Sequence, residues 1–271
     1  MKPQLTALVT GASSGIGLAC AEELADLGYH VFGASRTSHA SQRPIELLPM
    51  DVSSDESVSS GITRIIEMRG SIDLVVNNAG YAIAGAIEDC TVVDAREQFE
   101  TNFFGVYRVC RSVLPNMRAR RSGLIVNISS LGGLLGLPFQ GLYSASKFAV
   151  EGYTETLRLE MRPFGVRVVL IEPGDVRNTA ITRTRRHASG SKDNPAYRHS
   201  FLGTLRIIEK EERNGTAPEK VAATLRHVLS QRNPRLRYTV GHLSQRSAAF
   251  AKRFLSWRLF EKIISYHYGV R

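Results

Sequence analysis

The sequence predicts a doubly wound α/β domain built on a parallel sheet. Three observations predict it: short apolar runs recur along the chain, a glycine turn follows the first of them, and stretches of helical spacing separate the runs. The runs are residues 5–10, 31–34, 74–76, 124–128 and 166–171, all rich in Val, Leu and Ile, with helical spacing clearest over 16–27 and 148–161. Strands buried on both faces read as unbroken apolar runs, and a helix-length insert between them is what a parallel crossover needs.

The first run leads into Thr10-Gly11-Ala12-Ser13-Ser14-Gly15-Ile16-Gly17. Its three glycines allow a tight turn, a close approach of backbone to a pyrophosphate and tight helix-to-strand packing, and the helix N-terminus beyond offers unpaired N–H groups to negative charge. The spacing is GxxxGxG rather than GxGxxG, so taken alone this is either a dinucleotide site or simply a turn. The second run ends at Ser35-Arg36, and the run at 166–171 is followed by Pro173-Gly174. Beyond it lies a stretch rich in Ser, Gly, Asn and Lys at 188–195, a candidate lid at the carboxyl edge of the sheet, where open α/β proteins bind ligands.

The chain of 271 residues is 43% hydrophobic and 22% charged, enough for one substantial core, and a single domain over 1–271 is expected, with a substrate loop at 177–215 and a helical C-terminal extension at 242–271. Cys20, Cys90 and Cys110 are widely spaced and form no CxxC or Cys/His cluster, so neither a disulfide framework nor a metal site is indicated. The N-terminus enters a strand pattern at once, leaving no room for a secretory signal, and the uncharged stretch 122–146 is broken by Asn127, Ser129, Ser130, glycines and Pro138, unlike a spanning helix. A cytoplasmic protein is expected. Residues 1–135 hold 11 Lys/Arg against 14 Asp/Glu and residues 136–271 hold 24 against 11, so the net charge of +10 is C-terminal and suggests an anionic partner. No nucleic-acid motif accompanies it, and that class is set aside.

Four further features follow the glycine turn in a fixed order. Asp51-Val52 follows an apolar run, Asn77-Asn78-Ala79-Gly80 follows the run at 74–76, Ser130 precedes Tyr143-Ser-Ala-Ser-Lys147, and Pro173-Gly174 closes the last strand. On these motifs, residues 5 to 180 resemble the classical short-chain dehydrogenase/reductase family, whose fold is Rossmann-type. The resemblance implies that Gly11, Ser13, Gly15, Ile16 and Gly17 line a pyrophosphate, that Asp51 and Val52 hold the adenine ring, that Asn78, Ala79 and Gly80 border the adenosine, and that Thr179 reaches the nicotinamide carboxamide. Ser14, Pro173, Gly174 and Val176 complete the expected cofactor-binding set. An acidic residue at the end of the second strand would bond a ribose 2′-hydroxyl; Arg36 instead offers a planar fork suited to a 2′-phosphate, so NADP(H) is expected over NAD(H), unless Arg36 only faces solvent.

Tyr143 and Lys147 stand one helical turn apart and face one side of a helix. A phenol titrates near 10, and a neighbouring ammonium together with an oxidised nicotinamide is expected to lower it towards the range useful for proton transfer. The resemblance implies that Tyr143 gives its proton to a carbonyl oxygen while a serine polarises the same oxygen. Strand alternation lets only one of Ser129 and Ser130 face the site, and the resemblance implies Ser130, which lies thirteen residues before Tyr143 as the family's serine does. Lys147 would also bond the nicotinamide ribose. Asn102, in Thr101-Asn-Phe-Phe-Gly105, matches the family's helix-breaking asparagine, which holds a water; a local structural role is compatible with this.

Leu134, Leu135, Leu137 and Phe139 lie between the serine and the tyrosine and predict an apolar pocket, similar to that of the steroid and retinol dehydrogenase branch. The leading reading is therefore a carbonyl–alcohol oxidoreductase for a steroid, retinoid or acyl-chain substrate. The alternatives are a reductase of carrier-bound 3-oxoacyl groups and a non-catalytic NADP(H) sensor. Arg177, Arg183, Arg185, Arg186 and His187 would meet an anionic group or form a solvated loop. Residues 244–264 have helical spacing that gathers Phe250, Phe254, Trp257 and Ile264 on one stripe, flanked by Arg246 and Arg253. The stripe is read first as packing over the pocket or against another subunit of a homodimer or homotetramer, with peripheral contact to an anionic membrane as the alternative.

Overall fold

The computed structural model describes residues 4–36, 43–188, 190–191, 193–252 and 254–270, apart from the side chains of Ala180 and Arg183. The strands are β1 (Thr6–Thr10), β2 (His30–Ser35), β3 (Ile45–Pro49), β4 (Leu74–Asn77), β5 (Ile83–Ala84), β6 (Gly123–Ile128), β7 (Val166–Pro173), β8 (Arg186–His187) and β9 (Arg237–Val240). The helices are α1 (Gly15–Asp26), α2 (Asp55–Arg69), α3 (Val92–Phe99), α4 (Gly105–Arg120), α5 (Gly141–Met161), α6 (Ala180–Thr184), α7 (Arg198–Arg213), α8 (Pro218–Ser230), α9 (Leu243–Ala251) and α10 (Trp257–Tyr268). Seven strands form one sheet in the order β3-β2-β1-β4-β6-β7-β9, and every neighbouring pair is parallel. The doubly wound sheet expected from the sequence is what forms.

Strand alternation divides the core into two layers. Leu8, Phe32, Val75, Ile125 and Val168 point to the side covered by α2, α4 and α5, where Ile62, Val109 and Val150 meet them. Ala7, Val9, Val31, Val76 and Val126 point to the other side, covered by α1 and α8 through Leu24, Val221 and Leu225. β1, β4 and β6 are buried at every position, which is why they read as unbroken apolar runs. Strand order reverses between β1 and β4, and the crevice that this switch opens at the carboxyl ends of the strands is where ligands bind such sheets.

The edge strands β3 and β9 are absent from the five runs read as strands. An edge strand is covered less, so β3 exposes Leu47 and Pro49 and β9 keeps Arg237, Tyr238 and Thr239 half-buried, and neither has the unbroken burial of the inner strands. α5 begins at Gly141 rather than at 148, which brings both Tyr143 and Lys147 onto one helix. The helix expected over 244–264 is two helices, α9 and α10, with a break between them. The break gathers Ala249, Leu255, Phe260 and Ile264 over Leu131 and Leu135; on an unbroken helix Ala249 and Phe260 would stand about 16 Å apart along the axis. Phe250, Phe254 and Trp257 are exposed, so the stripe drawn from the sequence is not the packed face, and Arg253, placed beside it, lies outside the described residues.

Candidate active site

The turn from β1 into α1 forms the floor of the crevice. Gly11 has φ +66° and Gly15 φ +56°, a backbone region that side chains disfavour. A Cβ on Gly11 would stand 2.9 Å from the Ala79 Cα, and one on Gly17 would stand 2.2 Å from the Gly11 carbonyl oxygen. These glycines are therefore what lets α1, its own entry turn and the end of β4 close on one another. The Asn78 side-chain amide donates to the carbonyls of Thr10 (3.0 Å) and Gly11 (3.2 Å), while Thr10 Oγ1 accepts from the backbone N–H groups of Asn78 and Ala79. Ser14, at the N-cap of α1, makes no side-chain cap bond, and the first turn holds no acidic residue. The first N–H groups of the helix are thus left to an anion. This is a cradle that a pyrophosphate fits and a larger side chain would fill.

One cavity of about 1560 Å³ runs from this cradle across the carboxyl edge of the sheet. A single small-ligand pocket holds roughly 300–1,000 Å³, so this volume suits a dinucleotide and a second molecule together. Gly11, Ser13, Ser14 and Ile16 line it, as do Arg36 at the end of β2, Asp51 and Val52 after β3, and Asn78, Ala79 and Gly80 after β4. Farther along, Ser130, Tyr143, Lys147, Pro173, Gly174, Val176 and Thr179 line it too. Of the residues singled out by sequence, Gly15, Gly17 and Asn102 stand behind the wall. Burial raises the Asp51 carboxyl, but the hydroxyl and N–H of Ser53 and the guanidinium groups of Arg36 and Arg108 bring it below the usual carboxylate range.

Ser130 follows β6 in an extended conformation and caps a short 3₁₀ turn, its Oγ accepting from the Gly132 N–H at 3.0 Å. Its hydroxyl lies beside the Tyr143 phenol and lowers it, whereas the Ser129 hydroxyl lies beside Glu151. The Lys147 Nζ donates to the Ile128 carbonyl at 2.9 Å and lies 5.9 Å from the centre of the Tyr143 ring. Burial pushes the Lys147 ammonium down to about 8, against the attraction of Glu151 one turn along. The Tyr143 phenol moves the other way. Burial above all, with the charges of Glu212 and Asp175, raises it to about 12 against the pull of the Ser130 hydroxyl and Arg185, and Lys147 by itself does not lower it.

Asn102 sits fully buried in a π-helical turn, Glu100–Phe104, between α3 and α4. Its Nδ2 donates to the Tyr81 carbonyl (3.0 Å) and to Ser146 Oγ (3.1 Å), and its Oδ1 accepts from the Tyr81 N–H (3.1 Å). The side chain is committed to joining the loop after β4 to α5, and the π turn is the local distortion often found beside functional sites.

The far wall differs from the sequence expectation. Leu135 and Leu137 line the cavity beside Leu131, Ile208 and Ile264, but Leu134 turns into the cluster under α9 and α10, and Phe139, at φ +57°, packs on Tyr197 and Phe201. Arg185 is bound to Glu212, both buried, and Arg186 to Glu97 and Asp94, so neither offers a guanidinium free for an anionic substrate. Arg177 is exposed, His187 stacks edge-on against Phe201, and the Arg183 side chain lies outside the described residues. The stretch 188–195 is no loose lid where it is described. Ala188 and Ser191 are buried, and Ser191 Oγ accepts from the Ala86 N–H at 3.1 Å; Ser189 and Lys192 lie outside the described residues.

Sequence reasoning missed the acidic part of this wall. Asp175, Glu211 and Glu212 line the cavity with Gln245, His267 and Tyr268. Gln245 Nε2 donates to the Asp175 carboxyl, and Glu211 pairs with His267 at 2.9 Å. Burial, with Glu211 and Glu212 nearby, raises Asp175 to about 7. The signal available was Asp175 itself, a carboxylate directly after Pro173-Gly174 at the carboxyl edge of β7 in the basic half of the chain. Glu211 and Gln245 gave none, because only the tertiary fold brings α7 and α9 to that edge.

The short chain dehydrogenase family matches residues 5–190. The chain is 44% identical over 271 residues, all of both chains, to a protein named 3-ketodihydrosphingosine reductase from Bacteroides thetaiotaomicron. It is 39% identical over 185 residues, 63% of this chain and 58% of the other, to retinol dehydrogenase 8 from Homo sapiens. Among solved structures, a short-chain dehydrogenase from Streptomyces avermitilis superimposes with a TM-score of 0.85 at 32% identity, covering 97% of this chain and 98% of that one.

Proposed function

The chain belongs to the short-chain dehydrogenase family, and within it we propose an NADPH-dependent reductase of a long-chain ketone bearing an amino group beside the carbonyl, as in 3-ketodihydrosphingosine. The observation that carries this reading is the two-sided cavity around Tyr143. Leu131, Leu135, Leu137 and Ile208 offer an apolar wall for an alkyl chain, while Asp175 and Glu212, with Glu211 beside them, line an acidic wall, and the charges of Asp175 and Glu212 reach the tyrosine itself. A substrate ammonium next to the reacting carbonyl would meet that charge. A steroid or retinoid would bring no cation to Asp175, and a phosphopantetheine arm would meet like charge.

Bound NADPH supplies the hydride that reduces the carbonyl carbon. The chain's own residues handle the proton and the orientation. The Tyr143 phenol, held protonated at neutral pH by its burial, donates its proton to the ketone oxygen, and the Ser130 hydroxyl donates a hydrogen bond to the same oxygen. The Lys147 ammonium bonds the nicotinamide ribose and stabilises the phenolate left behind, and Asn102 holds the wall of the site in register with α5. Gly11, Ser13 and the free N–H groups of α1 take the pyrophosphate, with Gly15 and Gly17 providing the clearance for it. Ser14, Ile16, Pro173, Gly174 and Val176 border the cofactor, Thr179 takes the carboxamide, and Asp51, Val52 and Asn78 to Gly80 frame the adenosine. Arg36 supports the preference for NADPH, since it stands at the end of β2 on the cavity rim, and no acidic side chain takes that place.

Exposed Phe104, Tyr107 and Phe148, at the start of α4 and on α5, provide the face for a homodimer or homotetramer, which sedimentation would detect. The test of function is NADPH oxidation in the presence of 3-ketodihydrosphingosine, its N-acetylated form, retinal and a 3-oxoacyl thioester. The free amine is expected to be turned over best. Equal rates on the N-acetylated compound would remove the role of Asp175, and turnover of retinal or the thioester alone would replace the substrate class.

A further inference from the structure

α9 and α10 are two-faced. Inward, Ala249, Leu255, Phe260 and Ile264 close over Leu131 and Leu135. Outward, Phe250 and Phe254 stand 62% and 73% exposed with their rings 5.0 Å apart, and Trp257, Leu259, Ile263 and Tyr266 are exposed as well. Leu259, Ile263 and Tyr266 follow the spacing that places residues on one side of a helix. Burial of the inner face does not account for these six side chains, and exposed apolar and aromatic surface of this extent marks an interaction site.

Two observations identify what covers it. Residues 242–271 carry six Lys/Arg and one acidic residue, Glu261, and Arg246, Arg258 and Lys262 are exposed among the apolar side chains. A second copy seated face to face would set these cations against one another, whereas an anionic lipid surface would neutralise them. Ile263, in addition, is both 45% exposed and part of the cavity wall, so the outer face runs into the rim of the cavity. No helix among the described residues is long and apolar enough to cross a membrane. What the face fits is therefore the plane of the headgroups, where aromatic rings and cations on short amphipathic helices reside.

We propose that the outer face of α9 and α10 seats the protein on an anionic bilayer, with the cavity rim at Ile263 facing the lipid, so that a long-chain substrate enters from the membrane. The entry route rests on the lipid-ketone reading above; the seating does not. Lys252 is not counted towards the contact, because its Nζ donates to the Leu134 carbonyl at 2.7 Å.

The test is co-sedimentation of the full chain with vesicles of phosphatidylcholine alone or with phosphatidylglycerol added. The variants are Phe250→Ser/Phe254→Ser and Arg258→Glu/Lys262→Glu, none of which lines the cavity. Binding is expected only with the anionic lipid, weaker at high salt, and reduced about tenfold by each double variant. In parallel, kcat/KM for a short, water-soluble ketone should be unchanged by Phe250→Ser/Phe254→Ser, while kcat/KM for a long-chain ketone carried in the vesicles should fall about tenfold. Absence of vesicle binding, or equal binding by the variants, overturns the proposal, as does a variant that instead lowers the oligomeric state in sedimentation velocity. Vesicle binding without turnover of any long-chain ketone would overturn the lipid-ketone reading and the entry route while leaving the seating intact.

Discussion

Replacing Ser130 by alanine is expected to separate proton chemistry from folding. The Ser130 Oγ already accepts from the Gly132 N–H at 3.0 Å, so its own proton is available to the oxygen it faces, and the substitution deletes one donor in a buried site. Loss of one such donor to a developing oxyanion lowers kcat about 10²–10³-fold, or roughly 3–4 kcal/mol of transition-state stabilisation, with little change in KM. The Tyr143 phenol also loses the hydroxyl that pulls it down and should titrate higher still. Ser129→Ala is the internal control. It removes a buried hydroxyl beside Glu151, which keeps Arg237 at 2.8 Å, so a stability change within about 1 kcal/mol and a kcat within about threefold of the parent are expected. The assay is steady-state NADPH oxidation, with cofactor titration to verify that both variants still bind NADPH. A larger kcat loss in Ser129→Ala, or loss of NADPH binding in Ser130→Ala, would refute the assignment.

Three other substitutions probe the remaining parts of the site. Arg36→Ala should weaken NADPH about tenfold and leave NADH unchanged, read by titration with both; equal losses would show that Arg36 does not meet the 2′-phosphate. Gly17→Ala puts a Cβ 2.2 Å from the Gly11 carbonyl oxygen and should cost about 1–3 kcal/mol or more, visible as a lower Tm together with loss of dinucleotide binding. Asp175 has its carboxyl raised from an ordinary 3.8 to about 7, so its contribution to stability is full below its unfolded value and is lost as pH rises through about 7. The Tm of the parent should therefore drop between pH 5 and pH 8 by more than that of Asp175→Asn, and parallel curves would show that Asp175 is not buried as described.

The parts of the site legible in the sequence are those that one backbone segment fixes. Thr10 to Gly17 specifies a strand, a turn with positive φ at Gly11 and Gly15, and a helix start, because glycine is the residue that accepts those angles and that close contact. Tyr143 and Lys147 are legible because a helix sets their separation. The pleat lets only one of Ser129 and Ser130 face the site, and the spacing to Tyr143 that the chain shares with its family pointed to Ser130; the structure puts its hydroxyl beside Tyr143 and that of Ser129 beside Glu151. Strand β9 was not legible as an apolar run, and β3 was marked only by the apolar stretch before Asp51, since an edge strand needs no burial on every side.

Sequence alone thus determined the sheet, the glycine turn and the one-turn spacing of Tyr143 and Lys147, all set by local geometry and periodicity. Tertiary structure alone decided the environment that tunes them. Arg185 and Arg186, free cations on paper, are consumed by Glu212, Glu97 and Asp94 from other elements, and Asp175 acquires Gln245 and Glu211 as neighbours. The same holds for α9 and α10, where a break in the helical pattern turned Phe260 inward and left Phe250 and Phe254 outside. Electrostatic pairing and burial depend on distances across the fold, between residues tens of positions apart in the chain, and no local pattern encodes them.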